Sequence, residues 1–231
     1  MTRALTDARK KLVAAGMNVV DWEPYKHDHG VGIIVSISYR SCLFNTKNKE
    51  KKELTRDQKS TLFFPDAAQT VRSLLEQTSE PIHPLTEWAF SFAKPEPLSI
   101  PDNWALNKAR DIYRDEYHAL LKARGVDFLL TPVYPGVAAV LGESHYLGYT
   151  AVWNILDQPA VVFPTEMRVD PQLDQADETY KARSDFEEKE WKKYRPERFV
   201  NAPVALQLVG KKHRDEETIA AGKLVEGILR Q

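Results

Sequence analysis

Residues 148–160 read GYTAVWNILDQPA, and the architecture of the chain can be worked out from this stretch toward both ends. The part from Thr150 to Leu156 has the apolar spacing of one or two helical turns. The segment from Ala160 to Pro164 is a continuous apolar run, which is typical of a strand buried on both faces. A short helix that leads directly into a buried strand predicts one unit of an α/β domain.

Further strands and helices are predicted on either side of this unit. Residues 127–132 have a continuously apolar centre and residues 204–209 are largely apolar, so we expect two more buried strands. Residues 18–22 predict a short strand that forms an αβ unit with the helix before it. Because helices and strands alternate, the fold class is α/β, with a mixed β-sheet flanked by helices. Apolar residues at helical spacing predict helices over 5–15, 66–77, 84–92, 102–124 and 215 to the end, and residues 166–200 are expected to be charged and partly helical.

Helix ends and helix faces give more detailed expectations. Asp66, Asp102 and Asp215 each stand at the start of a predicted helix, where a short polar side chain can accept a hydrogen bond from a free backbone N–H. We therefore expect these three residues to cap their helices. The inward stripes are expected to include Trp104, Ile112, Tyr113, Tyr117 and Leu121 in the longest helix, and Ile219, Leu224, Ile228 and Leu229 in the last one.

Composition and charge argue against several classes of protein. The 231 residues are 42% hydrophobic and 28% charged, which suits one globular domain or two small ones. The net charge is −1 and the cations are spread along the chain, so nucleic-acid binding is not expected. No apolar run approaches the roughly 20 residues of a membrane span. A single cysteine, Cys42, and a polar amino terminus favour a cytoplasmic protein without disulfides.

Three motifs in fixed order carry a resemblance to a known family. Residues 127–136 read DFLLTPVYPG, residues 148–160 hold the Trp–Asn helix, and residues 201–210 read NAPVALQLVG. They resemble the carboxyl-terminal part of the amidase signature family, which consists of serine amide hydrolases, and in particular its fungal acetamidase and general amidase branch. The resemblance implies a partial amidase-signature fold, in which residues 1–231 are the carboxyl-terminal portion of an amidase domain.

The resemblance also implies a chemistry whose catalytic residues this sequence lacks. Family members hydrolyse the C–N bond of carboxylic amides to an acid and ammonia or an amine with a Ser–Ser–Lys triad, and the nucleophile lies in a glycine- and serine-rich segment. No serine here has that context, and no Gly-x-Ser-x-Gly elbow occurs. We therefore assign no catalytic residue and expect a fragment that is inactive alone. A small-molecule amide is the expected substrate of the full-length parent.

Two interpretations of such a fragment stay open, and a complementing partner chain that carries the amino-terminal half is a third, less favoured case. In the first, the chain is part of an amidase, and alone it has an incomplete sheet with a free edge and an exposed apolar face. In the second, it is a non-catalytic binding or interaction remnant, which requires polar replacements on the face that met the catalytic half. The strands predicted at 128–130, 161–163 and 204–208 show none, which favours the first interpretation. We expect no cofactor and no metal, and a homodimer is compatible with either interpretation.

Residues 35–59 interrupt the resemblance. The second half of this segment is strongly polar and has no apolar period. One interpretation is a retained, translated intron, because Val35–Ser36 can be encoded with a splice-donor pattern and Gln58 can be encoded as CAG. In-frame excision would then join Ile34 to Lys59. The other interpretation is a lineage-specific surface loop.

One segment acquires a substrate-binding role from the resemblance. In the family, the residues just before the Trp–Asn helix line the acyl-binding channel, and by position these are Ser144, Leu147, Tyr149 and Ala151. Two glycines bracket this stretch between two buried strands, which is a usual place for a pocket-lining loop. Packing alone is the alternative explanation.

The histidines allow weaker alternatives. His27-Asp28-His29 has two imidazoles at strand spacing, which could bind a metal, but no third ligand is evident and a solvated turn is preferred. His145 adjoins Ser144, but adjacent side chains seldom face one another and no orienting acid is visible. His213 is expected near a pocket mouth by positional resemblance alone.

Other polar groups are interpreted structurally. Asn154 and Asp157 lie on one helix face, where hydrogen bonds to buried backbone are preferred over a polar site. The Glu187–Lys193 run is interpreted as a solvated helix face. Cys42 has no partner and is given no catalytic role.

Overall fold

The computed structural model describes residues 1–35, 62–182 and 185–231, and it has helices packed on both faces of a small β-sheet. The α/β class predicted from the sequence is confirmed. Of the described helices, none combines the length and the hydropathy that crossing a bilayer requires.

The sheet contains the three strands that the apolar runs predict. β1 is Leu129–Pro132, β2 is Ala160–Arg168 and β3 is Pro203–Val209. Their order is β1–β3–β2, and both neighbouring pairs are antiparallel. The pairing of β2 with β3 is irregular between Pro164 and Arg168, which lets β2 extend beyond its predicted end.

Helices are the other main elements of the described residues. The predicted helices are found, with ends that differ from the prediction by a few residues, and one further helix begins at His27. The helices are α1 (Thr2–Ala14), α2 (His27–Ile34), α3 (Gln69–Gln77), α4 (Pro84–Phe90), α5 (Ile100–Ala123), α6 (Gly148–Leu156), α7 (Asp185–Lys193) and α8 (Asp215–Leu229), with a 3-10 helix at Pro196–Phe199.

β3 is covered on both faces. On one face, Val209 belongs to a core that also contains Tyr117 of α5 and Trp153 of α6. On the other face, Leu206 packs with Leu229 of α8 in a second core to which α1 also contributes. The central strand is therefore covered by a helical layer on each face, as its largely apolar sequence predicts.

The prediction of a strand at residues 18–22 is wrong. This stretch is irregular, and Trp22 packs its ring 5.8 Å from that of Tyr117, with the guanidinium of Arg124 4.8 Å from the centroid of the indole. A short run of β-branched and aromatic residues forms a strand only where its side chains can pack against a neighbouring strand. Here the side-chain packing against α5 takes that place.

Of the three predicted caps, the one at Asp66 is right only in part and the other two are wrong, because the N-cap of α3 is Ala68 and Asp66 stands two residues before it. The Asp66 carboxylate accepts a hydrogen bond from the Thr70 N–H at 2.9 Å, in the first turn of α3. At α5 the cap is Ser99, whose hydroxyl oxygen accepts from the Asp102 N–H at 3.2 Å. Asp215 lies inside the first turn of α8, where its charge favours the helix dipole without capping it.

The predicted inward stripes are partly wrong. On α5, Trp104 and Ile112 are exposed, and the buried positions Tyr113, Tyr117 and Leu121 follow a four-residue spacing. The apolar face of α5 is wider than the surface that its neighbours cover. Only the residues on the covered part are buried, and the other apolar residues face solvent. On α8 the exposed residues are Ile219 and Leu224, while Thr218, Gly222, Val225 and Leu229 are buried.

The 35–59 segment lies, apart from its first residue, outside the described residues, but the chain on either side of it is described. The Leu62 N–H donates to the Ile33 carbonyl at 3.3 Å, and the Phe63 N–H donates to the Ile34 carbonyl at 3.1 Å. The described residues on the two sides of the gap are therefore hydrogen-bonded neighbours.

Candidate functional site

The candidate site lies where β1 ends, β3 passes and α6 begins. Gln207, near the centre of β3 and 3% exposed, donates through Nε2 to the carbonyl of Pro132 at 2.8 Å and to that of Tyr149 at 2.7 Å. These carbonyls stand at the two ends of residues 133–147, which we call the β1–α6 loop. One buried side-chain amide therefore ties both ends of the loop to the sheet.

The four residues that the resemblance assigns to a substrate wall lie in this loop or next to it, at different depths. Ser144 is exposed. Leu147 is half-buried and packs against the core that contains Trp153 and Val209. Tyr149 is half-buried in the first turn of α6. Ala151, two residues further along the helix, is buried in the core. The structure thus gathers three of them at one end of α6 and leaves Ser144 at the surface. Their contact with a substrate stays a prediction.

Aromatic rings pack within and against the β1–α6 loop. The rings of Tyr134 and Tyr146 lie 6.1 Å apart, and those of Tyr146 and Tyr149 lie 5.7 Å apart. His145 places its ring edge-on to Trp88 of α4 at 5.0 Å. The contact of His145 is therefore an aromatic one, in line with the preference against a Ser144–His145 catalytic pair.

A partly buried ion pair of α7 contacts both ends of this loop. The Glu190 side chain, 9% exposed, accepts from the Tyr134 hydroxyl at 2.5 Å and from Lys193 Nζ at 2.7 Å. Lys193 Nζ also donates to the Glu143 carbonyl at 3.0 Å. Burial and the hydrogen bond to Glu190 raise the pKa of Tyr134, so its hydroxyl keeps its proton and acts as a donor at neutral pH.

The prediction that residues 187–193 form a solvated helix face is therefore only partly right. Glu188 and Lys192 form an exposed pair at 2.6 Å, as predicted. Glu190 and Lys193 turn toward the β1–α6 loop, because α7 packs on it at this point. The charge run alone does not indicate which of its members lie inward.

His27 is partly buried among aromatic rings in the first turn of α2, so the preferred interpretation as a solvated turn is wrong. Its Nε2 lies 3.0 Å from the Tyr117 hydroxyl, and its ring stacks on that of Tyr117 at 5.7 Å. Trp153 contacts it edge-on at 5.6 Å. Burial lowers the pKa of His27 to about 4, so the imidazole is neutral at physiological pH.

A polar cavity of about 310 Å³ lies at the other end of α6. Asp157, at the left-handed end of the helix, pairs with Lys212 at 2.9 Å, and this contact lowers the pKa of the carboxyl. The prediction that Asp157 bonds buried backbone is thus wrong. Gln158 is 7% exposed, and neither its amide nitrogen nor its oxygen has a partner among the described residues. The lining residues are Trp153, Asn154, Asp157, Gln158, Pro159, His213 and Asp215.

The described residues show no arrangement for metal or serine chemistry. Within residues 1–35, 62–182 and 185–231, no three His, Cys, Asp or Glu side chains are grouped so that they could hold a metal ion. No serine hydroxyl in those ranges is hydrogen-bonded to a histidine or a lysine; Ser91 donates to a helix carbonyl and Ser99 to Asp102. Cys42 lies outside them.

Two residues that organise the site were not identified from the sequence. Gln207 interrupts the run Val204–Val209, and a lone amide in a buried strand must find partners, so its position alone was a usable signal. Glu190 gave no such signal, because it stands in a run of acidic and basic residues.

Comparison with known proteins gives a consistent result. A family model described as Amidase matches residues 1–219. A Schizosaccharomyces pombe protein named as an amidase is 46% identical over 162 residues, which make up 70% of this chain and 30% of that protein. The acetamidase of Emericella nidulans is 26% identical over 224 residues, 94% of this chain and 36% of that protein.

Solved structures agree with the sequence relatives. A fatty acid amide hydrolase matches with a TM-score of 0.81 and 32% identity, over 98% of this chain and 36% of that one. The chain therefore spans about a third of the length of the relatives that it matches.

Proposed function

The chain belongs to the amidase family, and we propose that it is the carboxyl-terminal part of an enzyme that hydrolyses the C–N bond of carboxylic amides to an acid and ammonia or an amine. The observation that carries the proposal is the family match over residues 1–219, together with a fold that matches a fatty acid amide hydrolase at a TM-score of 0.81. Both similarities extend over nearly the whole chain.

In this proposal the chain supplies a wall of the substrate pocket, and the catalytic Ser–Ser–Lys set comes from an upstream part. Leu147, Tyr149 and Ala151 lie at the start of α6, with Ser144 on the adjoining loop. Gln207 holds this end of α6 against β1, which would keep such a wall rigid.

The free edges of the sheet are compatible with a further part of the same domain. The outer edges of β1 and β2 have no partner strand among the described residues. Val162, in β2, is 56% exposed. An exposed strand edge with an apolar side chain is expected if the sheet continues in another part of the domain, and it supports the amidase-fragment interpretation.

Fusion to a related catalytic part tests the proposal. The chain is produced alone and also joined behind the amino-terminal part of the Emericella nidulans acetamidase, with the intact acetamidase as reference. Ammonia release from acetamide is measured for all three proteins. We expect none from the chain alone and clear release from the fusion protein. Hydrolysis by the chain alone would refute the assignment of no catalytic residue.

The alternative, a non-catalytic remnant, predicts a different outcome for the same fusion protein. It would fold, as judged by circular dichroism and cooperative unfolding, and would release no ammonia. A homodimer stays a further prediction, and light scattering on the purified chain measures it directly.

A further inference from the structure

We propose that Glu190 is a positioning residue for the β1–α6 loop, and that α7 clamps this loop through one carboxylate and one lysine. The proposal rests on the proposed function only in treating the loop as a pocket wall. The clamp itself is a matter of contacts between described residues. Its two arms are the bond from Tyr134 to Glu190 and the bond from Lys193 to the Glu143 carbonyl.

The clamp holds two points of a segment that has no regular structure of its own. Residues 133–147 form neither helix nor strand, so side-chain contacts must fix their path. Tyr134 lies at the beginning of this segment and Glu143 near its end. Because Glu190 and Lys193 are bonded to each other at 2.7 Å, the two anchored points are joined through α7. Ser144 follows directly after the second anchor, and Leu147 stands four residues after it.

Burial distinguishes this pair from an ordinary surface ion pair on the same helix. The side chains of Glu190 and Lys193 are 9% and 31% exposed, whereas those of Glu188 and Lys192 are 49% and 62% exposed. Exposed pairs contribute little, because water and salt screen them. In the partly buried pair, removal of the carboxylate leaves the Tyr134 hydroxyl without its acceptor and the Lys193 ammonium with the Glu143 carbonyl but no opposite charge. The two pairs have nearly equal lengths, so α7 contains its own control.

Hydrogen exchange of the chain itself, followed by mass spectrometry, tests the clamp without any activity. Glu190→Ala is expected to raise the exchange rate of amides in residues 136–147 roughly tenfold. Glu190→Gln keeps an acceptor for Tyr134 and should give a smaller rise. Glu188→Ala, the matched control, should leave the loop unchanged. Tyr134→Phe removes only one hydroxyl, so it remains informative if Glu190→Ala fails to fold.

The location of the effect decides between positioning and general stability. If exchange rises equally in α8, Glu190 supports the whole fold and the proposal is overturned. If Glu190→Ala and Tyr134→Phe both match Glu188→Ala, there is no clamp. In the acetamidase fusion, loosening the loop should raise KM more than it lowers kcat. If the fusion protein is inactive but Glu190→Ala raises exchange in the loop, the proposed function is refuted and the clamp stands. If the fusion protein is active but Glu190→Ala leaves exchange in the loop unchanged, the clamp is refuted and the proposed function stands.

Discussion

Two buried glutamines, Gln207 and Gln158, differ in whether their side-chain amides are hydrogen-bonded. Gln207 donates two hydrogen bonds, whereas the Gln158 amide has no partner among the described residues. An unpaired buried polar group costs roughly 1–3 kcal/mol, so the two amides should contribute with opposite signs. Gln207→Met introduces no charge but removes both hydrogen bonds to the carbonyls of Pro132 and Tyr149, and should lower the free energy of unfolding by about 1–3 kcal/mol. Gln158→Met should be neutral or stabilising. Urea unfolding followed by circular dichroism measures both.

The comparison has a clear contrary outcome. Similar losses in the two variants would mean that the Gln158 amide is hydrogen-bonded in solution, with water in the neighbouring cavity as its partner. The cavity is polar and large enough for that.

Titration of His27 gives a second residue-scale prediction. Its pKa is about 4 in the fold and near 6.5 in an unfolded chain. Between these values the unfolded chain binds a proton that the folded chain does not, so stability is lost as the pH falls from about 6.5 toward 4. The loss from this group is at most about 3 kcal/mol. The free energy of unfolding, measured between pH 7.5 and 4.5, should therefore decline.

His27→Gln is the matching variant, since its amide keeps a polar group near the Tyr117 hydroxyl and does not titrate. Its pH profile should be flatter, although burial also lowers the pKa of His29 and of His118, which act in the same direction. A variant whose profile runs parallel to that of the native chain would show that folded His27 is protonated as easily as in water.

Within α2, two glycines make different predictions for the same substitution. A Cβ at Gly30 would overlap the buried ring of Tyr113, whereas one at Gly32 would meet no described atom within 4 Å. Gly30→Ala should lower the free energy of unfolding by about 1–3 kcal/mol through overpacking. Gly32→Ala should raise it by roughly 0.5–1 kcal/mol, because alanine favours the helix. Thermal unfolding compares the two, and a stabilising Gly30→Ala would mean that α2 packs less tightly on α5.

The same helix shows where sequence reasoning reaches its limit at the element scale. Buried strands were found because a short, continuously apolar run has few other uses. α2 was missed because HDHGVGII has low helix propensity; it is a helix through its contacts with α5 and α6. The strand prediction at residues 18–22 is wrong for the opposite reason: the strand propensity is high, but no neighbouring strand pairs with this stretch.

At the scale of the whole molecule, long-range contacts separate what was predictable from what was not. The position of the loop before the Trp–Asn helix followed from the order of motifs. The clamp on it did not, because Tyr134 and Glu190 are 56 residues apart, and Gln207 lies 75 residues from Pro132. A local sequence pattern indicates which residues are buried and whether they form a helix or a strand. It does not indicate which charged residue far away in the sequence contacts a given loop.

The return of the chain at residues 62 and 63 to the end of α2 predicts that the interrupting segment is dispensable. With residues 36–58 deleted, Lys59, Ser60 and Thr61 would link Val35 to Leu62, whose N–H already bonds the Ile33 carbonyl, and three residues are enough for so short a gap. The midpoint of thermal unfolding of this variant should lie within a few degrees of that of the native chain.

Deleting residues 35–58, the span of the proposed intron, also removes Val35 from the core and places a lysine there. This longer deletion should lower the free energy of unfolding by about 1–3 kcal/mol. Loss of cooperative unfolding in the shorter deletion would show instead that the segment is part of the fold, and transcripts that lack it would identify it as an intron.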